Sequence, residues 1–179
     1  NVEDRIVPQE YLQYVDTLIT VDTNNLNAVK ELAIEIHKKN SFHAILPGSE
    51  YHVVIAAHIA EALGLPGNPT KTVEALRDKY FLRTLLKQHR LSTPSFFLIH
   101  EKDDLPKALV HVGLPAIIKP TKMAGSLHVK RINNADELYA SYQEIIEKNT
   151  RELGHDSTAG ILLEQYIPGK EFSVEGVLS

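Results

Sequence analysis

Lys119 ends a short apolar run, Pro115 to Ile118, and is followed by Pro120 and the small-residue stretch Thr121-Lys122-Met123-Ala124-Gly125-Ser126. A lysine at the end of an Ala-Ile-Ile strand has a buried stem and a charge that needs a partner, which a phosphate would supply. The alternative is a lysine that reaches the surface or pairs with a nearby carboxylate. In the following loop Lys122 adds a second cation, Gly125 permits close backbone approach and Ser126 offers a hydroxyl, all suited to phosphate oxygens. By itself such a loop reads equally well as a solvent hairpin.

A second apolar run, Ile161-Leu162-Leu163, leads into Glu164-Gln165-Tyr166-Ile167-Pro168-Gly169-Lys170-Glu171-Phe172. Pro168 cannot donate to a ladder and pushes Ile167 towards extended geometry, so strand pairing is expected to lapse there. The backbone from Gln165 through Tyr166 to Ile167 would then be free to meet the edge of an adenine ring. In that arrangement the Ile167 N–H donates, a carbonyl or Glu164 accepts from the exocyclic amine, and Glu171 is placed for ribose hydroxyls. A β-bulge with solvated charges is the plain alternative. One strand end suits phosphates and the other a base and sugar.

Other chemistries find no support. The loop is not a Walker A, since no Gly-Lys-Ser/Thr occurs and the nearest match is Gly169-Lys170-Glu171. With one glycine, and running strand to strand, it is not a dinucleotide fingerprint. The nine histidines show no ligand spacing. There is no Gly-x-Ser-x-Gly elbow and no cysteine nucleophile.

These residues are to be positioned by alternating strands and helices. Tyr14 to Val21 is partly alternating, and the Asp22-Thr23-Asn24-Asn25 cluster can cap a helix over Leu26 to Lys39, where Leu26, Val29, Leu32, Ala33 and Ile36 recur at helical spacing. Phe42 to Leu46 reads as a strand stopped by Pro47-Gly48-Ser49, and Tyr51 to Leu63 as a helix ended by Gly64. Strand, helix, strand, helix predicts a parallel sheet with helices packed on it. Leu65-Pro66-Gly67-Asn68-Pro69 breaks regular structure and suggests a domain boundary.

Thr72 to His89 reads as one helix with a broad apolar stripe, Arg77, Asp78, Lys79 and Arg83 lying largely off it. Lys79 on its own reads as surface charge. Beyond Thr93-Pro94 the pattern predicts strand Phe96 to Ile99, helix Leu105 to Val112, strand Ala116 to Lys119, strand Val129 to Ile132, helix Ala135 to Lys148, a polar loop through Gly154-His155-Asp156-Ser157, and strand Ile161 to Tyr166. The two helices are expected on one face of a small sheet. No internal repeat or low-complexity tract is visible.

Composition narrows the class. The chain has 179 residues, 43% hydrophobic and 23% charged, enough for one large or two small domains. Lys and Arg number 19 against 23 acidic residues, so there is no basic field for nucleic acid. Without cysteine, disulfides and thiolate metal sites are excluded and a cytoplasmic protein is the simplest reading. No run approaches the ~18 apolar residues of a membrane span. The start at Asn1 and the alternating run Val174 to Ser179, which reads as an unfinished strand, suggest a piece of a longer protein.

Taken together, the chain resembles the ATP-grasp ligases. The resemblance rests on Leu63-Gly64-Leu65-Pro66-Gly67-Asn68, Leu76-Arg77-Asp78-Lys79 with Arg83, Leu91-Ser92-Thr93-Pro94, Val112 to Pro120, Ala124-Gly125-Ser126 and Leu163 to Phe172, in order across nearly the whole chain. The nearest branch is that of amino-acid and dipeptide ligases, with biotin-carboxylase-like and D-alanine-ligase-like enzymes more distant. The implied class is α/β, a partial Rossmann-like pre-ATP-grasp domain plus an α+β lid. The implied division is residues 1–70 for the former, 71–93 for a linker helix, 94–166 for the lid, and 167–179 for the start of a further subdomain.

The resemblance also implies roles. Lys79 and Lys119 contact ATP phosphates, the Lys122 to His128 flap closes over them, Glu164 reads the adenine amine, the Gln165–Tyr166–Ile167 backbone frames the base, and Glu171 holds the ribose. Leu127-His128 stand where many members carry a second glycine, which implies a stiffer flap. The implied activity is ATP- and Mg2+-dependent joining of a carboxylate to an amine through an acyl phosphate, with metal ligands and catalytic residues expected after Ser179 and this chain inactive alone. A homodimer is compatible with the resemblance. A non-catalytic adenine-nucleotide sensor is the rival reading.

Overall fold

The computed structural model describes residues 9–174 and residue 176. The short helix α1 (Gln9–Leu12) precedes α2 (Leu26–Lys39), which Asn25 caps by accepting from the Ala28 N–H. A 3-10 turn over Glu50–His52 leads into α3 (Val53–Ala62), and Gly64 closes that helix at a φ of +65°.

The expected parallel sheet is not formed among the described residues. Neither Tyr14 to Val21 nor Phe42 to Leu46 is a strand, and every strand pair is antiparallel. A strand exists only where a neighbour completes its ladder, and a parallel pair needs cover on both faces. Here Leu18 is 60% and Leu46 86% exposed. The alternating run at Val174 to Ser179 lies largely outside the described residues, and Val174 is not in a strand.

The expected single helix from Thr72 to His89 is two: α4 (Thr70–Arg77) and α5 (Lys79–Gln88). Asp78 between them has extended backbone, and its carboxylate accepts from the Tyr80 and Phe81 N–H groups. An aspartate satisfies orphan donors at a helix start better than it serves a helix interior, so the chain breaks at it. The break places Lys79 at the first turn of α5.

The remainder follows the expected alternation, except that the stretch expected as a polar loop through His155 and Asp156 pairs with Arg151 and Glu152 as a two-stranded hairpin. Strands β1 (Phe96–Ile99), β2 (Ala116–Pro120) and β3 (Lys130–Ile132), helices α6 (Leu105–Val112) and α7 (Ala135–Lys148), a small hairpin of β4 (Arg151–Glu152) and β5 (His155–Asp156), and β6 (Ile161–Gln165) complete it. The main sheet has order β1-β6-β2-β3. Leu105, Ala108 and Val112 of α6 and Leu138, Tyr142 and Ile145 of α7 bury Ile99, Ala116, Ile118 and Leu163 against one sheet face. Each fully buried aliphatic side chain contributes about 1.5–3 kcal/mol to that layer. Glu144 accepts from Lys130 of β3 and Lys148, which together hold its carboxyl down to about 2. No helix among the described residues is long and apolar enough to cross a membrane.

Candidate functional site

The other sheet face carries the chemistry. In the β2–β6 register Ile117 lies opposite Glu164 and Lys119 opposite Leu162. Side chains alternate faces, so Lys119 and Glu164 share one face as diagonal neighbours, within reach of long side chains. The Lys119 ammonium donates to Glu164 Oε1, and Arg83 Nε of α5 donates to Oε2 at 2.9 Å. Glu164 is 8% exposed at its side chain, Lys119 13% and Arg83 21%. Of the two partners open to Lys119, the structure shows the carboxylate.

Lys79 stands at the same cleft. Its backbone N–H donates to Thr121 O at 3.0 Å, and its ammonium donates to Met123 O at 2.7 Å and Thr121 O at 3.3 Å. Burial pulls the Lys79 amine below the ordinary lysine range, and the positive charges of Lys119 and Arg77 add to this. Lys79, Lys119, Gly125 and Ser126, with Glu50, Met123 and Ala124, line a cleft of about 300 Å3. Crowding lysines into a partly buried cleft with flap backbone is what a polyanion site requires.

Lys122 is not among the residues lining this cleft. Its ammonium lies 3.8 Å from Asp78 Oδ2, in a separate hollow with Lys71, Glu74 and Phe81. The loop bends at Thr121 and Lys122, and Asp78 lies beside the cation that sequence reading gave to phosphate. A second correction concerns the base-framing backbone. The Gln165 N–H donates to Ser95 O at 2.8 Å and the Tyr166 N–H to Pro115 O at 3.1 Å, so neither is free. Ladder contacts persist past the end of β6 and lapse only at Ile167, whose N–H donates to no backbone carbonyl among the described residues. Ile167 is 62% exposed, Glu171 is exposed beyond it, and the Arg131 guanidinium lies 4.2 Å from the Tyr166 ring centroid.

Sequence reading gave two participants no role at the site. Arg83 is one helical turn after Lys79, on the same face of α5, and that spacing is a signal once Asp78 is recognised as the cap. Tyr51 has no local signal. Its hydroxyl accepts from the Ala124 N–H at 3.1 Å and donates to Glu152 Oε2 at 3.0 Å, joining segments far apart in the chain.

The antiparallel main sheet thus carries a cationic cleft under a small-residue flap with an acidic strand end beside it, an arrangement suited to a polyanion. Family matches agree: the ATP-grasp N-terminal domain matches residues 2–67 and the ATP-grasp domain residues 112–179. The chain belongs to the ATP-grasp superfamily.

Among similar proteins, an L-arginine-specific L-amino acid ligase of Bacillus subtilis is 26% identical over 135 residues, 73% of this chain and 33% of that protein. A D-alanine–D-alanine ligase of Ralstonia nicotianae is 30% identical over 117 residues, 64% of this chain and 33% of that protein. The crystal structure of an L-amino acid ligase from Bacillus licheniformis superposes with a TM-score of 0.63 at 28% identity, covering 81% of this chain and 31% of that one. The chain thus spans about a third of the length of these relatives.

Proposed function

We propose that this chain is the ATP-binding part of an ATP-dependent carboxylate–amine ligase that works through an acyl phosphate, in the cytoplasm. The observation that carries the reading is the convergence of Lys79 and Lys119 on one cleft beneath the Ala124-Gly125-Ser126 backbone. Its relatives are amino-acid and D-alanine ligases, and the substrates they imply are a carboxylate and an amine.

In this reading Lys79 and Lys119 neutralise charge on the phosphates and stabilise what develops during phosphoryl transfer. Lys119 exchanges Glu164 for phosphate. Glu164 has lone-pair sites beyond the two its cations use, and takes the adenine amine on one of them. The exposed Ile167 N–H meets the base edge and Glu171 the ribose. When bound, Mg2+ would supply further charge neutralisation on the phosphates. Among the described residues no three His, Cys, Asp or Glu side chains are grouped to hold a metal, so no ligand to it is assigned here.

The depressed Lys79 pKa gives a test with a definite sign. A polyanion favours the ammonium, so binding raises the Lys79 pKa, and nucleotide binding takes up protons where the free protein has begun to lose them. Affinity for ATP is therefore expected to fall as pH rises through the free-state Lys79 pKa, below the ordinary 10.5, with Lys119, Arg77, Glu50 and Asp78 as the other charges felt there. Calorimetry in buffers of different ionisation enthalpy reads this proton uptake. Lys79→Met is expected to abolish the uptake and weaken binding; equal uptake in wild type and variant would remove Lys79 from the site.

A further inference from the structure

The flap is fastened from outside the sheet. Three successive flap residues each give a backbone group to a side chain from an earlier part of the chain. Lys122 O accepts from Arg77 Nη2 at 3.0 Å, Met123 O accepts from Lys79 Nζ at 2.7 Å, and the Ala124 N–H donates to Tyr51 Oη at 3.1 Å. Tyr51 and Arg77 are themselves joined, the guanidinium lying 5.7 Å from the ring centroid. Arg77 is fixed in turn by Glu50 at 2.5 Å. Beside the ring, His155 lies tilted at 5.0 Å between centroids, and Glu152 Oε2 accepts from the hydroxyl at 3.0 Å.

The residues just beyond this anchor need holding. Gly125, Ser126 and His128 have φ of +62°, +57° and +56°. Only glycine adopts that region freely, so Ser126 and His128 keep it only where their surroundings impose it. At the far end His128 Nε2 lies 2.8 Å from Thr150 Oγ1. The strained segment is thus pinned on both sides, and it is the segment that lines the lysine cleft with Gly125 and Ser126.

We propose that Tyr51, with Arg77, is a positioning residue that latches the flap over the phosphate cleft and so sets how long a nucleotide stays bound. The latch stands on geometry alone; its effect on residence rests on the nucleotide reading above. Tyr51 suits the role because one hydroxyl both accepts an amide and donates to a carboxylate. Burial pushes its phenol up, with Glu152 adding to this against the Ala124 N–H, so the proton needed for the donation stays in place. Neither Tyr51 nor Arg77 lines the cleft, which makes both act through the flap.

Tyr51→Phe removes the hydroxyl and keeps the ring on His155 and Arg77; Arg77→Lys removes the planar fork that spans Glu50 and the flap carbonyl. Amide hydrogen exchange in the 179-residue chain reads the latch without any nucleotide. Exchange across residues 122–128 is expected to rise about fivefold or more in each variant, the worth of one ordinary hydrogen bond, while β6 is unchanged. Dissociation of a fluorescent adenosine diphosphate is expected to speed up by about the same factor. Should Tyr51→Phe loosen β6 as well, a rise confined to the flap in Arg77→Lys still supports the latch. Flap exchange equal to wild type in both variants, or a rise spread over the whole chain in both, overturns it. A wild-type chain that binds no nucleotide sinks the nucleotide reading and leaves the exchange result to decide the latch.

Discussion

Glu164→Ala is expected to lower the stability of this chain by about 3 kcal/mol or more, because it strands two cations that the carboxylate now holds together. Lys119 and Arg83 both donate to Glu164, and all three side chains are largely withdrawn from water. The pair attraction itself is weak evidence of stability, since desolvation offsets most of it. The cost of the variant comes instead from what remains: two like charges, one on β2 and one on α5, with no counter-charge between them. Glu164→Gln is expected to cost less, as the amide keeps one acceptor. Replacing all three groups by Met, Met and Leu is expected to recover most of the loss. Urea unfolding of the four proteins checks the order, and a Glu164→Ala chain as stable as wild type would show that the triad is solvated rather than buried.

Lys119→Ala is expected to weaken ATP by about tenfold or more, the loss of a charge-assisted contact of roughly 1.5–3 kcal/mol. In this variant Glu164 keeps Arg83, so the fold is expected to suffer less than in Glu164→Ala. That separation matters: a loss of affinity at near-normal stability marks a ligand contact, whereas parallel losses mark a structural one. Calorimetric titration alongside urea unfolding distinguishes them. Unchanged ATP affinity would return Lys119 to a purely structural partner of Glu164.

The part beyond Pro94 was legible in the sequence because its signals are local and mutually consistent. The helix from Ala135 to Lys148 has Asn134 as cap and an apolar stripe, and its bounds came out as expected. The apolar strands around Ala116 and Ile161 pair with each other in the main sheet. The earlier part was less legible because strands there depend on partners that no local pattern specifies; Tyr14 to Val21 alternates, yet has no neighbour to complete a ladder among the described residues. Helix periodicity carried the reading across Asp78, although a single capping carboxylate was enough to break the helix.

The site shows the same division. Lys119 and Glu164 were visible as strand-end residues, since an apolar run ending in a charge implies a constrained charge. Their mutual pairing was not, because it depends on the β2–β6 register. Lys122 was misplaced for a related reason: sequence nearness to Gly125 says nothing about which way its side chain turns, and Asp78 decides that. Tyr51 could not be found from spacing at all, being tied to Ala124 and Glu152 only by the tertiary fold.

The most direct test of an adenine-nucleotide site is calorimetric titration of the 179-residue chain with ATP, repeated in the presence of GTP. At the Glu164 end of β6 adenine offers an amine to a carboxylate, whereas guanine presents a carbonyl and leaves two acceptors facing each other. ATP is expected to bind at least about tenfold more tightly than GTP. Equal competition by GTP, or no ATP binding at all, would contradict the assignment of this cleft and strand end to an adenine nucleotide.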